Sequence, residues 1–178
     1  RDSTPVRTGG FEGDDECMTA ARATQCTASK QGDNERHNNG RVKIAGGKPG
    51  PVTTGNGIEW SHVQTREGKA IAIQRSDTKL PARPALLVGS AAPRDLAPEL
   101  IPASFPSSAL VTPQQVIFPS ADGMLLHGQL FLPPGGATGE KHPAVVFFHG
   151  GSRRQMLLGW HSMYYYSNAY AMNPFLAS

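Results

Sequence analysis

One stretch constrains this chain more than any other: His142-Pro143-Ala144-Val145-Val146-Phe147-Phe148-His149-Gly150-Gly151. Five consecutive apolar residues, opened by a proline and closed by His-Gly-Gly, predict a strand over residues 144–148. Because that run is apolar on both faces, it belongs inside a sheet covered by helices on either side. The glycine pair predicts a turn whose backbone comes close to a ligand, since glycine adopts φ values that a side chain forbids.

Around this stretch the composition points to turns and short strands. Hydrophobic residues make up 38% of the 178 positions, and the 20 glycines and 15 prolines leave room for helix only as a minority element. A net charge of +3 is mild, and the basic residues are scattered in ones and twos, with Arg153-Arg154 and Arg36 to Lys43 the nearest approaches to a cluster. That pattern implies a solvated surface and no nucleic-acid footprint. No apolar run reaches the roughly 18 residues a membrane span needs. Cys17 and Cys26 are the only cysteines. They suggest no disulfide framework and are read as unpaired, and no second pair completes a zinc site, so neither metal nor cofactor is expected.

Along the chain, residues 1–40 show no apolar periodicity and read as loop-like or disordered. From Arg41 period-two patterning sets in, with Val42 and Ile44 alternating against Arg41 and Lys43. Short strands follow around Pro51, from Gly57 to Ser61, from Lys69 to Gln74 and from Ala85 to Val88; their spacing suggests a β-propeller blade or a sandwich, and residues 41–90 are expected to be a partial β-propeller. Prolines stiffen a linker over residues 91–114. Residues 115–178 open with a short strand at Val116-Ile117-Phe118, a turn at Ala121-Asp122-Gly123 and a second strand up to Leu132. The tail from Met163 is a helix candidate that Pro174 should kink. Trp60 is expected in the core of its strand.

The order of these parts resembles the prolyl oligopeptidase family, and within it the bacterial dipeptidyl-peptidase and acylaminoacyl-peptidase-like serine peptidases. The residues that carry the resemblance are Trp60-Ser61, Gly68-Lys69-Ala70-Ile71-Ala72, Phe118, Asp122-Gly123, His127-Gly128, Leu132-Pro133, His149-Gly150-Gly151 and the run Tyr164-Tyr165-Tyr166-Ser167-Asn168-Ala169-Tyr170. The resemblance implies a β-rich N-terminal part, a partial β-propeller, joined to the N-terminal portion of an α/β-hydrolase domain, the whole incomplete. It also implies a substrate with peptide or acyl-amino-acid bonds, cleaved through a Ser-Asp-His triad.

The strand ending in His149-Gly150-Gly151 would then present the oxyanion loop, whose backbone N–H groups face the carbonyl oxygen that becomes negative during acyl transfer. Relatives in the dipeptidyl branch carry a tyrosine near the place of His149, so here the donor is a backbone amide or the imidazole. Arg153 and Tyr165 are weaker candidates for the substrate pocket. No serine has glycines at both −2 and +2; Ser152 has only the first, and none of the six histidines stands last in a Ser-Asp-His order. Beginning at Arg1, the chain is expected to be a fragment of a serine peptidase, inactive alone. The alternative is a non-enzymatic β-rich binding or interaction module.

Overall fold

The computed structural model describes residues 16–18, 24–29, 35–43, 50–136, 139, 141–150 and 156–178. Ten strands, one α-helix and a short 3-10 turn at Pro98–Leu100 make up the regular structure of these described residues. Strands β1 (Glu16–Met18), β2 (Thr24–Ser29), β3 (Asn38–Lys43) and β4 (Gly50–Pro51) form one sheet in sequential order. A second sheet, also sequential, holds β5 (Ile58–Gln64), β6 (Ala70–Ser76), β7 (Arg83–Val88) and β8 (Arg94–Asp95). The hairpin β9 (Gln114–Pro119) and β10 (Leu125–Leu130) stands apart as a third, and helix α1 (Tyr164–Ala177) closes the described chain.

Cross-strand pairs on one face build the main core. Ile71 lies opposite Leu87 and Ile73 opposite Ala85, and these four alternate residues form the buried cluster, with Val52 packed against it. The period-two apolar pattern of β6 and β7 therefore does what half-buried strands do. Strand β5 departs from that pattern. Its register against β6 shifts between Trp60 and Val63, and Ser61 sits at a φ of 49°. A bulge of this kind inserts one residue and inverts the facing of the strand beyond it. Beyond it His62 is consequently buried and Val63 exposed; before it Glu59 is buried beside Ile58, and Trp60 is only half-buried, not the core residue the sequence suggested.

Polar networks hold the sheets together. Glu59 Oε2 accepts hydrogen bonds from the Asn39 backbone N–H at 3.2 Å, from Asn39 Nδ2 at 2.6 Å and from the Thr53 hydroxyl, which ties β3 to β5. In the second sheet Arg83, 5% exposed, donates to Asp77 at 2.7 Å and to Asp95 at 2.9 Å. Burial alone would raise the Asp77 pKa, but the Lys79 N–H, the Arg83 guanidinium and the Leu80 N–H together hold it below its usual value of 3.8. Burial, and then the Asp77 carboxylate, push the Tyr170 phenol above its ordinary range.

Helix α1 buries Tyr166, Tyr170 and Pro174, a stripe at i, i+4 and i+8. Pro174 is thus accommodated inside the helix, near its C-terminal end. The Tyr170 hydroxyl donates to the Thr78 carbonyl at 2.9 Å, and its ring packs on Trp160 and Phe131. The Trp160 backbone N–H donates to the Asp77 carbonyl at 3.1 Å, so the segment before the helix is laid against the second sheet. The hairpin is tied in by Gln129 Nε2, which donates to the Leu157 carbonyl at 2.7 Å, and by a 3.2 Å contact of His127 Nδ1 with Glu35.

This architecture corrects the expected fold class. Every ladder among the described residues is antiparallel, and these residues hold two four-stranded meanders, whereas a propeller arranges typically four to eight blades around a channel. An α/β-hydrolase domain is built on a mostly parallel sheet with crossover helices. Among the described residues the only parallel contact is the isolated bridge between His37 and Ile58, and α1 is the only α-helix. Residues 144–148 join no sheet: Val145, Val146 and Phe148 are 76%, 73% and 85% exposed. The physical reason is the lack of a neighbour. β9 and β10 meet across a tight turn, where Gly123 takes a φ of 86° and the Ser120 N–H reaches the Met124 carbonyl at 2.8 Å. The run at 144–148 has no described strand one turn away.

Candidate functional site

The candidate site is centred on the residues just after the apolar run, where the chain meets the first turn of α1. Tyr166 is buried on the inner face of that helix, and its hydroxyl donates to the Gly150 carbonyl at 2.9 Å. The His149 ring stands edge-on to Tyr166, with centroids 6.4 Å apart and planes at 86°. His161 packs on the same ring at 5.4 Å. The Met163 backbone N–H donates to His161 Nδ1 at 2.9 Å, which makes that nitrogen an acceptor and assigns the ring proton of a neutral imidazole to Nε2. Tyr166 thus gathers two imidazoles and one backbone carbonyl around a single phenol.

Of the residues singled out from sequence, the structure brings His149, Gly150 and Tyr165 to this point. Tyr165 is 67% exposed and touches the cluster only through an edge contact with Tyr166, ring centroids 5.2 Å apart. Gly151 and Arg153 lie outside the described residues. Gly150 is not among the glycines with positive φ, and a Cβ built on it would meet only the Tyr166 hydroxyl oxygen, at 3.8 Å. That is ordinary contact, so at this position neither φ nor space requires glycine.

The residue on which the site turns is Tyr166, a neighbour of Tyr165 in the triplet Tyr164-Tyr165-Tyr166, whose residues the sequence leaves open between lining a pocket and packing. The tyrosine triplet was visible, but choosing among three adjacent aromatics needs the helix face. The signal was present in the spacing of Tyr166, Tyr170 and Pro174, which marks the packed stripe. For His161, one of six scattered histidines, the sequence implies only a surface or packing role, and the structure packs it on Tyr166.

Chemically the arrangement can hold the 149–150 backbone still. Fixing the Gly150 carbonyl through a buried phenol orders a segment that no sheet restrains, and an ordered segment can present amide N–H groups to an anion. Among the described residues no group of three or more His, Cys, Asp or Glu is placed to hold a metal ion. None of the described helices is long and apolar enough to cross a membrane.

No protein-family model matches this chain, and no curated protein matches it either. Among solved structures it is similar to an isopeptidase, the S527A variant of AtxE2 with astexin3-dC4 bound, at 17% sequence identity and a TM-score of 0.49. The match covers 67% of this chain and 18% of that one, so the chain spans less than a fifth of the isopeptidase. A distant structural neighbour is therefore a peptidase, at a level of likeness that carries no argument about this chain. The expected membership of the prolyl oligopeptidase family is corrected on these grounds. Its motifs are short and individually common, and order along the chain does not replace a family match.

Proposed function

We propose that the segment around His149 and Gly150 is the oxyanion-side element of a serine hydrolase acting on peptide or acyl-amino-acid bonds, and that this chain alone turns over no substrate. The observation that supports this reading is the hydrogen bond from the buried Tyr166 hydroxyl to the Gly150 carbonyl. Attack on a planar carbonyl puts negative charge on its oxygen, and donors already in place when that charge forms lower the barrier without reorganising. A clamp on the carbonyl side of the loop leaves its amides as the groups free to meet that charge. His149 stands beside the same loop and is the side chain available as a further donor. The nucleophile, its base and the acid that orients the base are to be supplied by residues that this sequence does not contain.

Two measurements test this. A fluorophosphonate probe should label no serine of the purified chain stoichiometrically; full labelling of one would overturn the absence of a nucleophile. Titration of the ¹⁵N-labelled chain with a peptidyl phosphonate, whose tetrahedral anion mimics the charged intermediate, should shift the amide signals of residues 149 and 150 saturably. Shifts that are absent there, or spread evenly over the chain, would refute the oxyanion role. Where the loop serves a complete triad, loss of one donor should lower kcat by roughly 100- to 1000-fold while KM changes little.

A further inference from the structure

The two cysteines of the chain, Cys17 on β1 and Cys26 on β2, are directly opposed in the antiparallel β1–β2 ladder. Opposed residues of such a pair share one face of the sheet, with Cα atoms about 4.5–5.5 Å apart. That separation falls inside the roughly 4.4–6.8 Å window across which a disulfide closes. The row continues over the next two ladders, where Cys26 is opposed to Arg41 on β3 and Arg41 to Gly50 on β4. One face of the sheet therefore carries Cys17, Cys26, Arg41 and Gly50 in line. Arg41 is exposed, so solvent reaches the row at that residue. Arg41 holds the register position opposite Cys26, and in general a fixed positive charge near a thiol favours its thiolate, the attacking form.

We propose that Cys17 and Cys26 form a redox modification site, closing a cross-strand disulfide by exchange with a low-molecular-weight disulfide of the oxidised glutathione class. The Cys26 thiolate attacks one sulfur of that disulfide, forming a mixed disulfide and expelling one glutathione thiolate. The Cys17 thiolate then attacks Cys26 sulfur, the protein disulfide forms, and the second glutathione leaves. The protein loses two protons and two electrons, and both electrons end on the two released glutathione thiols. The product fastens the three-residue edge strand β1 to its neighbour covalently. Spacing in the sequence does not set the two cysteines opposite one another; the register does. The inference stands independently of the hydrolase reading.

The test treats the full reduced chain with oxidised glutathione and follows intact mass and peptide maps, in buffer and in urea. In buffer the expected product is lighter than the reduced chain by two hydrogens, with Cys17 and Cys26 in one cross-linked pair. It should form at least about tenfold faster than in urea, because the folded ladder raises the effective concentration of one thiol at the other. Cys17→Ser should stop at a single glutathione adduct on Cys26, and Arg41→Gln should slow the first exchange several-fold. A native chain carrying two glutathiones, a disulfide-linked dimer as the main product, or equal rates in buffer and urea would overturn the proposal. An unchanged rate in Arg41→Gln would remove Arg41 from it.

Discussion

The second sheet and the segment at residues 144–148 have the same kind of side chains and opposite fates. Ile71, Ile73 and Leu87 are 4%, 2% and 2% exposed, while Val145, Val146 and Phe148 stand mostly in solvent. Hydrophobicity does not separate them. What differs is the distance along the chain to a partner strand. β5, β6, β7 and β8 follow one another through short connections, so each closes its ladder against the next at little loop-closure cost. Residues 144–148 are preceded by the turn-rich Pro133-Pro134-Gly135-Gly136 and followed by a helix, and they meet no strand among the described residues. An apolar run is a demand for burial, and only a neighbour satisfies it.

The comparison breaks most visibly at Ile73. Ile73→Asp should prevent folding of the second sheet, because an unpaired carboxylate in a buried apolar cluster costs at least about 4 kcal/mol. A urea titration followed by circular dichroism should show no cooperative transition for that variant.

Next in size is Arg83, the cation that holds the same sheet through two aspartates. Arg83→Met should cost about 2–3 kcal/mol, below the range for fully buried pairs, because Asp77 and Asp95 are 29% and 25% exposed. Asp77 supplies a pH signature. Its folded pKa lies below its usual value of 3.8, so its contribution is present above that pH and is lost as pH falls through the folded value. Stability measured from pH 6 down to pH 2 should therefore drop at the acid end, and Asp77→Asn should flatten that drop. An unaltered acid limb would remove Asp77 from the network.

Gly159 sharpens the comparison at the place where the segment before α1 is laid against the second sheet. It has a φ of 152°, and a Cβ there would lie 3.0 Å from the Asp77 backbone. Gly159→Ala should cost about 1–3 kcal/mol from combined strain and crowding, read as a lower midpoint in thermal melts. Tyr166→Phe comes next at about 1 kcal/mol, the usual net worth of one hydrogen bond. Its more telling readout is greater picosecond-to-nanosecond mobility in ¹⁵N relaxation at residues 149 and 150 with that of β6 unchanged. Smallest of all is Val146→Asp, expected within about 0.5 kcal/mol of the parent because the side chain is already in solvent. A large loss there would mean that the segment is packed after all, and the contrast with Ile73 would fail.

Much of the local structure was legible in the sequence. Alternation in Ala70-Ile71-Ala72-Ile73 marks β6, the Asp122-Gly123 turn marks the β9–β10 hairpin, and the Tyr- and Ala-rich tail after Met163 is α1. Each depends on contacts a few residues apart, where side-chain period and turn chemistry decide the outcome. At the candidate site, His149 and Gly150 were marked in advance by the residues themselves. The clamp on Gly150 was not, because it joins positions 16 residues apart through a helix face that sequence spacing only hints at.

What the chain determined by itself is thus its strand and turn alphabet, its C-terminal helix, and the absence of a serine flanked by glycines at −2 and +2. Tertiary structure alone decided which apolar run is buried, which of three tyrosines reaches the loop, which way β5 faces beyond its bulge, and that Cys17 is paired in register with Cys26. The reason is common to all four. Propensity and periodicity are properties of neighbours in sequence, whereas burial, register and hydrogen-bond partnership are properties of segments that come together only when the sheets assemble.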